Sequence, residues 1–240
     1  MYSMVQRTLS EALGTAALLF LGVGSVVATL VLSDRKPPAL GGADLMTISV
    51  TFGLAIVAMV YAIGRVSGCH INPAVTLALA ASKRFRWHDV PFYASAQLIG
   101  AILGSAAVWA VFGQRAVDLG LGQTSFDATQ TSFLAAAFGE FLGTFLLILG
   151  ILGIVDSRGP TQLGGLVIGL LVAAIDIMLI PATGGAINPA RALGPEIVSA
   201  IAGGATHWSQ YVPAYLVPEL LGGVSAAFVY DHLASEREAG

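Results

Sequence analysis

Two asparagines carry the most specific chemistry in the chain: Asn72-Pro73-Ala74 and Asn188-Pro189-Ala190 repeat one tripeptide 116 positions apart, each among small residues and followed by an apolar helical stretch. Asn caps a helix, Pro fits a first turn where its missing N–H costs nothing, and Ala propagates, so each tripeptide predicts a helix start. Once the cap has engaged the side-chain oxygen, each Asn keeps a carboxamide NH2 to offer outward. The runs Pro73 to Ser82 and Pro189 to Ile201 reach only about 15 to 20 Å at 1.5 Å per residue, too short to cross a bilayer. Each is therefore expected to be a re-entrant half-helix, which membranes tolerate only inside protein or beside a watery cavity. Asn72 and Asn188 are expected to meet at the midplane, backed by the positive ends of two helix dipoles. That arrangement welcomes a neutral oxygen and opposes a cation or hydronium, which suits a passive pore.

The elements that must position these residues also come in pairs. Gly53-Leu54, Gly68 and Ile71 answer Gly169-Leu170, Gly184 and Ile187 at the same offset of 116. Glu11, Gly14 and Thr15 recur as Glu140, Gly143 and Thr144 at 129, and Gln97-Leu98-Ile99-Gly100 as Glu219-Leu220-Leu221-Gly222 at 122. The chain reads as an internal repeat. Charged residues make up only 10% and hydrophobic residues 56%, and mean hydropathy is +0.81, so most of the surface is expected to face lipid. Apolar runs near Leu9 to Leu32, Leu45 to Ile63, Val90 to Val111, Phe133 to Val155, Leu163 to Pro181 and Val212 to Tyr230 are each long enough to span, which gives three spans per repeat.

Because three is odd, the second repeat enters from the opposite side, an inverted-topology pair. The expected fold is an all-α membrane protein of six transmembrane helices plus two re-entrant half-helices. It forms a single channel domain over residues 1–240, with repeats over about 5–112 and 132–232. The first run reads as a retained helix rather than a processed signal. Lys83, Arg84 and Arg86 mark their loop as cytoplasmic, with Arg7, Arg158 and Arg237 on the same side and Arg35, Lys36 and Arg115 outside. Both termini are then cytoplasmic, and the inner or plasma membrane is the expected location. The pairs Gly100 with Gly104 and Gly139 with Gly143 are spaced for close helix crossings. A net charge of -3 gives no reason for a nucleic-acid partner, and the single Cys69 excludes an internal disulfide or a cysteine metal cluster. No Ser-His-Asp or metal-ligand spacing appears, so neither catalysis nor a cofactor is expected. His88, His207 and His232 read as surface groups near helix ends.

The segments Gly64-Arg65-Val66-Ser67-Gly68-Cys69-His70-Ile71-Asn72-Pro73-Ala74-Val75-Thr76 and Gly184-Gly185-Ala186-Ile187-Asn188-Pro189-Ala190-Arg191 resemble the two signature loops of the aquaporin and glycerol-facilitator family. Glu11, Gln97, Glu140 and Tyr230-Asp231 extend the resemblance over nearly the whole chain. It implies a pore in every subunit and a homotetramer. It also implies an outer constriction whose four positions fall on Phe52, Asp176, Gly185 and Arg191. Arg191 is expected to donate to the permeant and to repel cations. Asp176 departs from the family pattern of His in water-selective members and Gly in glycerol channels, and an intramembrane Asp is expected to be functional. Its expected role is to pair with Arg191. By the resemblance, Glu11 and Glu140 are buried carboxylates that hold the re-entrant loops, and His70 borders the cytoplasmic half of the pore. Cys69, at the repeat position of Gly185, is expected to line the inner vestibule.

The resemblance thus implies a passive channel for water, with small neutral solutes such as glycerol also permeant and protons and ions excluded. Two alternatives stand beside it. A glycerol-preferring facilitator is favoured by Gly185 and by the absence of His at position 176. An ion-coupled secondary transporter would share inverted repeats and buried carboxylates but would saturate.

Overall fold

The computed structural model describes residues 2–33, 40–156 and 161–235. Arg35, Lys36, Arg158 and Arg237, invoked above for sidedness, lie outside the described residues. Among the described residues six helices are long and apolar enough to cross a membrane. In chain order the main elements are α1 (Met4–Ser33), α2 (Gly42–Ser67), the half-helix α3 (Pro73–Ala81), α4 (Val90–Phe112), α5 (Phe133–Val155), α6 (Gly164–Thr183), the half-helix α7 (Pro189–Ile201) and α8 (Val217–Ala234). Among the described residues no strand occurs.

The distribution of side chains is that of a protein dissolved in lipid. Leu13, Phe20, Leu103, Phe138, Leu170 and Phe228 are exposed, whereas Glu11, Glu140, Asp176, Arg191 and Glu219 are 0–3% exposed. These charged groups are turned inward, where they must be paired or used.

Glycine sets how closely the spans approach. A Cβ at Gly100 or Gly104 of α4 would overlap the carbonyl oxygens of Ala12 or Ala16 on α1, so the two backbones touch there. Gly53 on α2 and Gly169 on α6 meet each other in the same way, each blocked by the other's carbonyl. Gly139 and Gly143 on α5 instead make room for the Leu179 side chain.

The last span departs from a simple apolar helix. It opens at Trp208 and passes through a π-helical turn, Tyr211–Leu216, before α8 begins. Pro213 and Pro218 lack the N–H groups that would close ordinary i to i−4 bonds, so the turn widens between them. α1 and α2 also run past their apolar cores, to Met4 and Ser67 respectively, and α2 stops where Gly68 turns left-handed at φ 93°.

Candidate pore

Each half-helix begins as its residue types require. Asn72 Oδ1 accepts from the Ala74 N–H at 2.8 Å, and Asn188 Oδ1 accepts from the N–H groups of Ala190 at 3.0 Å and Arg191 at 3.3 Å. At 1.5 Å per residue α3 and α7 extend roughly 13 and 20 Å, so neither spans. Their starts meet inside the protein. The Asn72 Nδ2 donates to the Ile187 carbonyl at 2.8 Å, and the Asn188 Nδ2 donates to the Ile71 carbonyl at 2.9 Å. The expectation of a wholly free NH2 is thereby corrected: one N–H of each amide ties the loops together, and one remains.

The loops that deliver these amides are strained in matching places. Gly68, Cys69 and Ile71 have φ of 93°, 51° and 42°, and Gly184, Gly185 and Ile187 have 82°, 58° and 44°. For β-branched Ile this region is an outlier that costs on the order of 1–3 kcal/mol. Two buried carboxylates compensate. Glu11 accepts from the His70 N–H at 2.9 Å and the Ile71 N–H at 2.6 Å. Glu140 accepts from the Ala186 N–H at 3.1 Å and the Ile187 N–H at 2.7 Å. Neither carboxylate lines the cavity; each anchors a loop that does.

Around the meeting point runs one cavity of about 660 Å³, lined by Asn72, Asn188, His70, Cys69, Phe52, Asp176, Gly185 and Arg191 among others. The fold thus brings every residue assigned to the outer constriction to a single lumen. Pro73, Ala74, Pro189 and Ala190 start the helices behind it. His70 is held by Thr76, with Nδ1 to Oγ1 at 3.1 Å, and by the rings of Phe85 and Tyr93 at 4.8 and 5.0 Å.

Arg191 is fixed from two directions. Its Nη1 donates to the Gly122 carbonyl at 2.8 Å, and its guanidinium lies 5.1 Å from the Phe52 ring centroid, a cation–π contact. Phe52 in turn fills the space that a side chain at Gly22 would take. The expected Asp176–Arg191 ion pair does not form among the described residues. Asp176 turns instead towards Gly185, where a Cβ would stand 3.3 Å from its Oδ1.

Several supports were not singled out as sites from the sequence. Gly122 supplies only a carbonyl and Thr183 a hydroxyl, which donates to Glu140 at 2.5 Å and accepts from the Gly185 N–H at 3.2 Å. The repeat offset was the available signal for Thr183, because Ser67 serves the Cys69 N–H at 3.1 Å in the first half. On the face carrying the Lys83–Arg86 loop, Arg7 bonds Asp89 at 3.1 Å and Arg84 bonds Asp231 at 2.6 Å. His88 is exposed beside Asp89, His207 is half-buried and His232 is exposed.

The family model described as major intrinsic protein matches residues 1–230. The chain is 40% identical to the aquaporin AqpM of Methanothermobacter marburgensis, over 98% of this chain and 100% of that protein. It is 37% identical to the glycerol uptake facilitator protein of Bacillus subtilis, over 92% of this chain and 82% of that protein. Among solved structures, the aquaglyceroporin from Plasmodium falciparum superposes with a TM-score of 0.84 at 31% identity, covering 95% of this chain and 96% of that one.

Proposed function

The chain belongs to the major intrinsic protein family, and from that premise we propose that it is a passive channel for water and for small neutral solutes such as glycerol, closed to protons and ions. The observation that carries this reading is the single cavity that contains both Asn72 and Asn188 together with Arg191. A water or hydroxyl oxygen at the junction accepts from the one remaining N–H on each Asn. Its own protons then point away along the lumen, so neighbouring waters are not linked there into a proton wire. The amino ends of α3 and α7 add partial positive charge at the same place, which opposes cations.

Asn72, Pro73, Ala74, Asn188, Pro189 and Ala190 form the midplane, and Phe52, Asp176, Gly185 and Arg191 form the selectivity filter. Cys69 and His70 line the pore, and Glu11 and Glu140 support the loops. Arg191 offers donors and Asp176 an acceptor in one lumen, so a polyol hydroxyl can accept from one and donate to the other. Gly185 leaves the width that such a solute needs. For this reason a glycerol-preferring facilitator remains the second reading.

The whole chain acts as one channel domain, built from repeats over about 5–112 and 132–232. Support comes from the strained φ values at positions 116 apart. We place both termini on the cytoplasmic side of a cell membrane, because Arg7 and Asp231 are tied to the basic loop through Asp89 and Arg84. Four copies are expected to assemble in the bilayer, each with its own pore. The family is one of channels, and we assign this chain no reaction and no cofactor.

Osmotic shock of vesicles containing the purified protein tests the reading. Fast shrinkage in sucrose without recovery, and shrinkage followed by rapid re-swelling in glycerol, are the expected results. Shrinkage no faster than in empty vesicles would refute the channel. Saturating, ion-coupled uptake would point to a transporter.

A further inference from the structure

Glu219 occupies, in the second half of the chain, the place that Gln97 occupies in the first. Three matched fixtures establish this. Four residues earlier, Tyr93 donates to the Ser67 carbonyl at 2.7 Å and Tyr215 donates to the Thr183 carbonyl at 2.7 Å. Three residues later, Gly100 is pressed on the Ala12 carbonyl and Gly222 on the Phe141 carbonyl. Ala12 and Phe141 directly follow Glu11 and Glu140. Between these fixtures the Gln97 amide donates to Glu11 at 2.8 Å and to Thr76 at 2.9 Å. Glu219 faces Glu140 from the same position and lies within side-chain hydrogen-bonding range of it.

An ionised glutamate cannot do what Gln97 does, because it has no proton to donate. Glu219 is 0% exposed, and the groups within hydrogen-bonding range of its carboxyl are the Glu140 carboxylate and the Asn188 N–H. The residue at the repeat position of Thr76 is Ala192, so the hydroxyl that completes the Gln97 site is missing here. The charged and titratable neighbours are Glu140 on α5, Arg191 on α7, and Tyr211 and Tyr215 on the turn before α8. Arg191 is committed to the Gly122 carbonyl and the Phe52 ring. Two carboxylates side by side in such a site hold one charge between them.

We propose that Glu219 is un-ionised and donates its proton to Glu140, making it a positioning residue for the second pore loop. The carboxylic acid O–H replaces the amide N–H of Gln97. It steadies the carboxylate that in turn holds the Ala186 and Ile187 N–H groups. Unlike the amide, this donor can be titrated away, so the second loop carries a sensitivity to alkali that the first lacks. This inference concerns the loop's support and does not depend on which solute permeates.

Infrared difference spectra of the reconstituted protein in H2O and D2O test it, comparing wild type with Glu219→Gln. Wild type should show the carbonyl stretch of an un-ionised carboxylic acid, and the variant should lose that contribution. The thermal midpoint of wild type should fall progressively as pH rises above the ordinary carboxylate range, where the unfolded chain ionises at position 219 and the folded chain does not, and the variant, with its permanent donor, should not share that fall. Glu219→Ala should lower the midpoint at every pH. A Gln variant whose un-ionised band equals that of wild type would overturn the proposal. So would Gln and Ala variants that destabilise equally. If the Ala variant does not fold, the wild-type and Gln spectra still decide.

Discussion

At the scale of single residues, Asn72 and Asn188 each cap a half-helix and cross-tie the loops with one amide, and in the proposed channel each offers its remaining N–H to the permeant. The cap was legible from the Asn-Pro-Ala order, because caps are a local matter. The cross-tie was not, because it depends on two loops 116 residues apart arriving head to head. The same limit explains Asp176 and Arg191. Their membership in one lumen followed from the resemblance, but the direction of each side chain is set by Gly122 and Gly185, whose contribution is backbone shape. Asp176→Ala removes the lumen acceptor for a polyol. Losing one hydrogen bond to a charged group costs about 1.5 kcal/mol or more, so glycerol permeability should fall roughly tenfold relative to water. An unchanged ratio in vesicle swelling would remove Asp176 from the filter. Glu11→Ala orphans the His70 and Ile71 N–H groups, which should destabilise the protein by about 2 kcal/mol or more and lower its thermal midpoint in detergent. A midpoint equal to wild type would mean that the strained loop stands without its carboxylate.

At the scale of elements, helix starts were better read than helix ends. Pro73 and Pro189 begin α3 and α7 as expected, and Phe133 begins α5, because each start has a cap or a proline to mark it. α2 continues through Gly64 and Arg65 because helical hydrogen bonding outlasts the apolar pattern, and only the left-handed Gly68 stops it. The π-helical turn before α8 arises from two prolines in one run, and hydropathy alone is blind to it. Close crossing, by contrast, was visible in the glycine spacing of α4. The crossing of α2 with α6 gives a sharp test, since Gly53→Ala puts a methyl into the Gly169 carbonyl. Overpacking of this kind costs roughly 1–3 kcal/mol, so the yield of monodisperse protein should drop. Gly42→Ala, whose Cβ would meet nothing within 4 Å, should behave as wild type. Equal yields from the two variants would show that the α2–α6 approach is not tight.

At the scale of the whole molecule, the inverted repeat explains why two stub helices can sit in lipid at all. Each half-helix packs against a span of the other half: α7 against α4 at Gly194 and Ala101, and α3 against α8 at Gly223 and Ala74. Neither half could bury its stub alone. The exposed apolar flanks that remain are suited to lipid and to neighbouring copies, and light scattering of the purified protein in detergent should give the mass of four chains. A monomer mass would contradict the assembly. The most direct test of the central claim, that solute passes between the two asparagine loops, uses the only cysteine in the chain, Cys69, which lines that lumen. Water flux into vesicles is measured before and after a small thiol reagent, for wild type and for Cys69→Ser. The account predicts that labelled wild type loses most of its flux while the flux of the serine variant is indifferent to the reagent; full flux through wild type with Cys69 demonstrably labelled would contradict it.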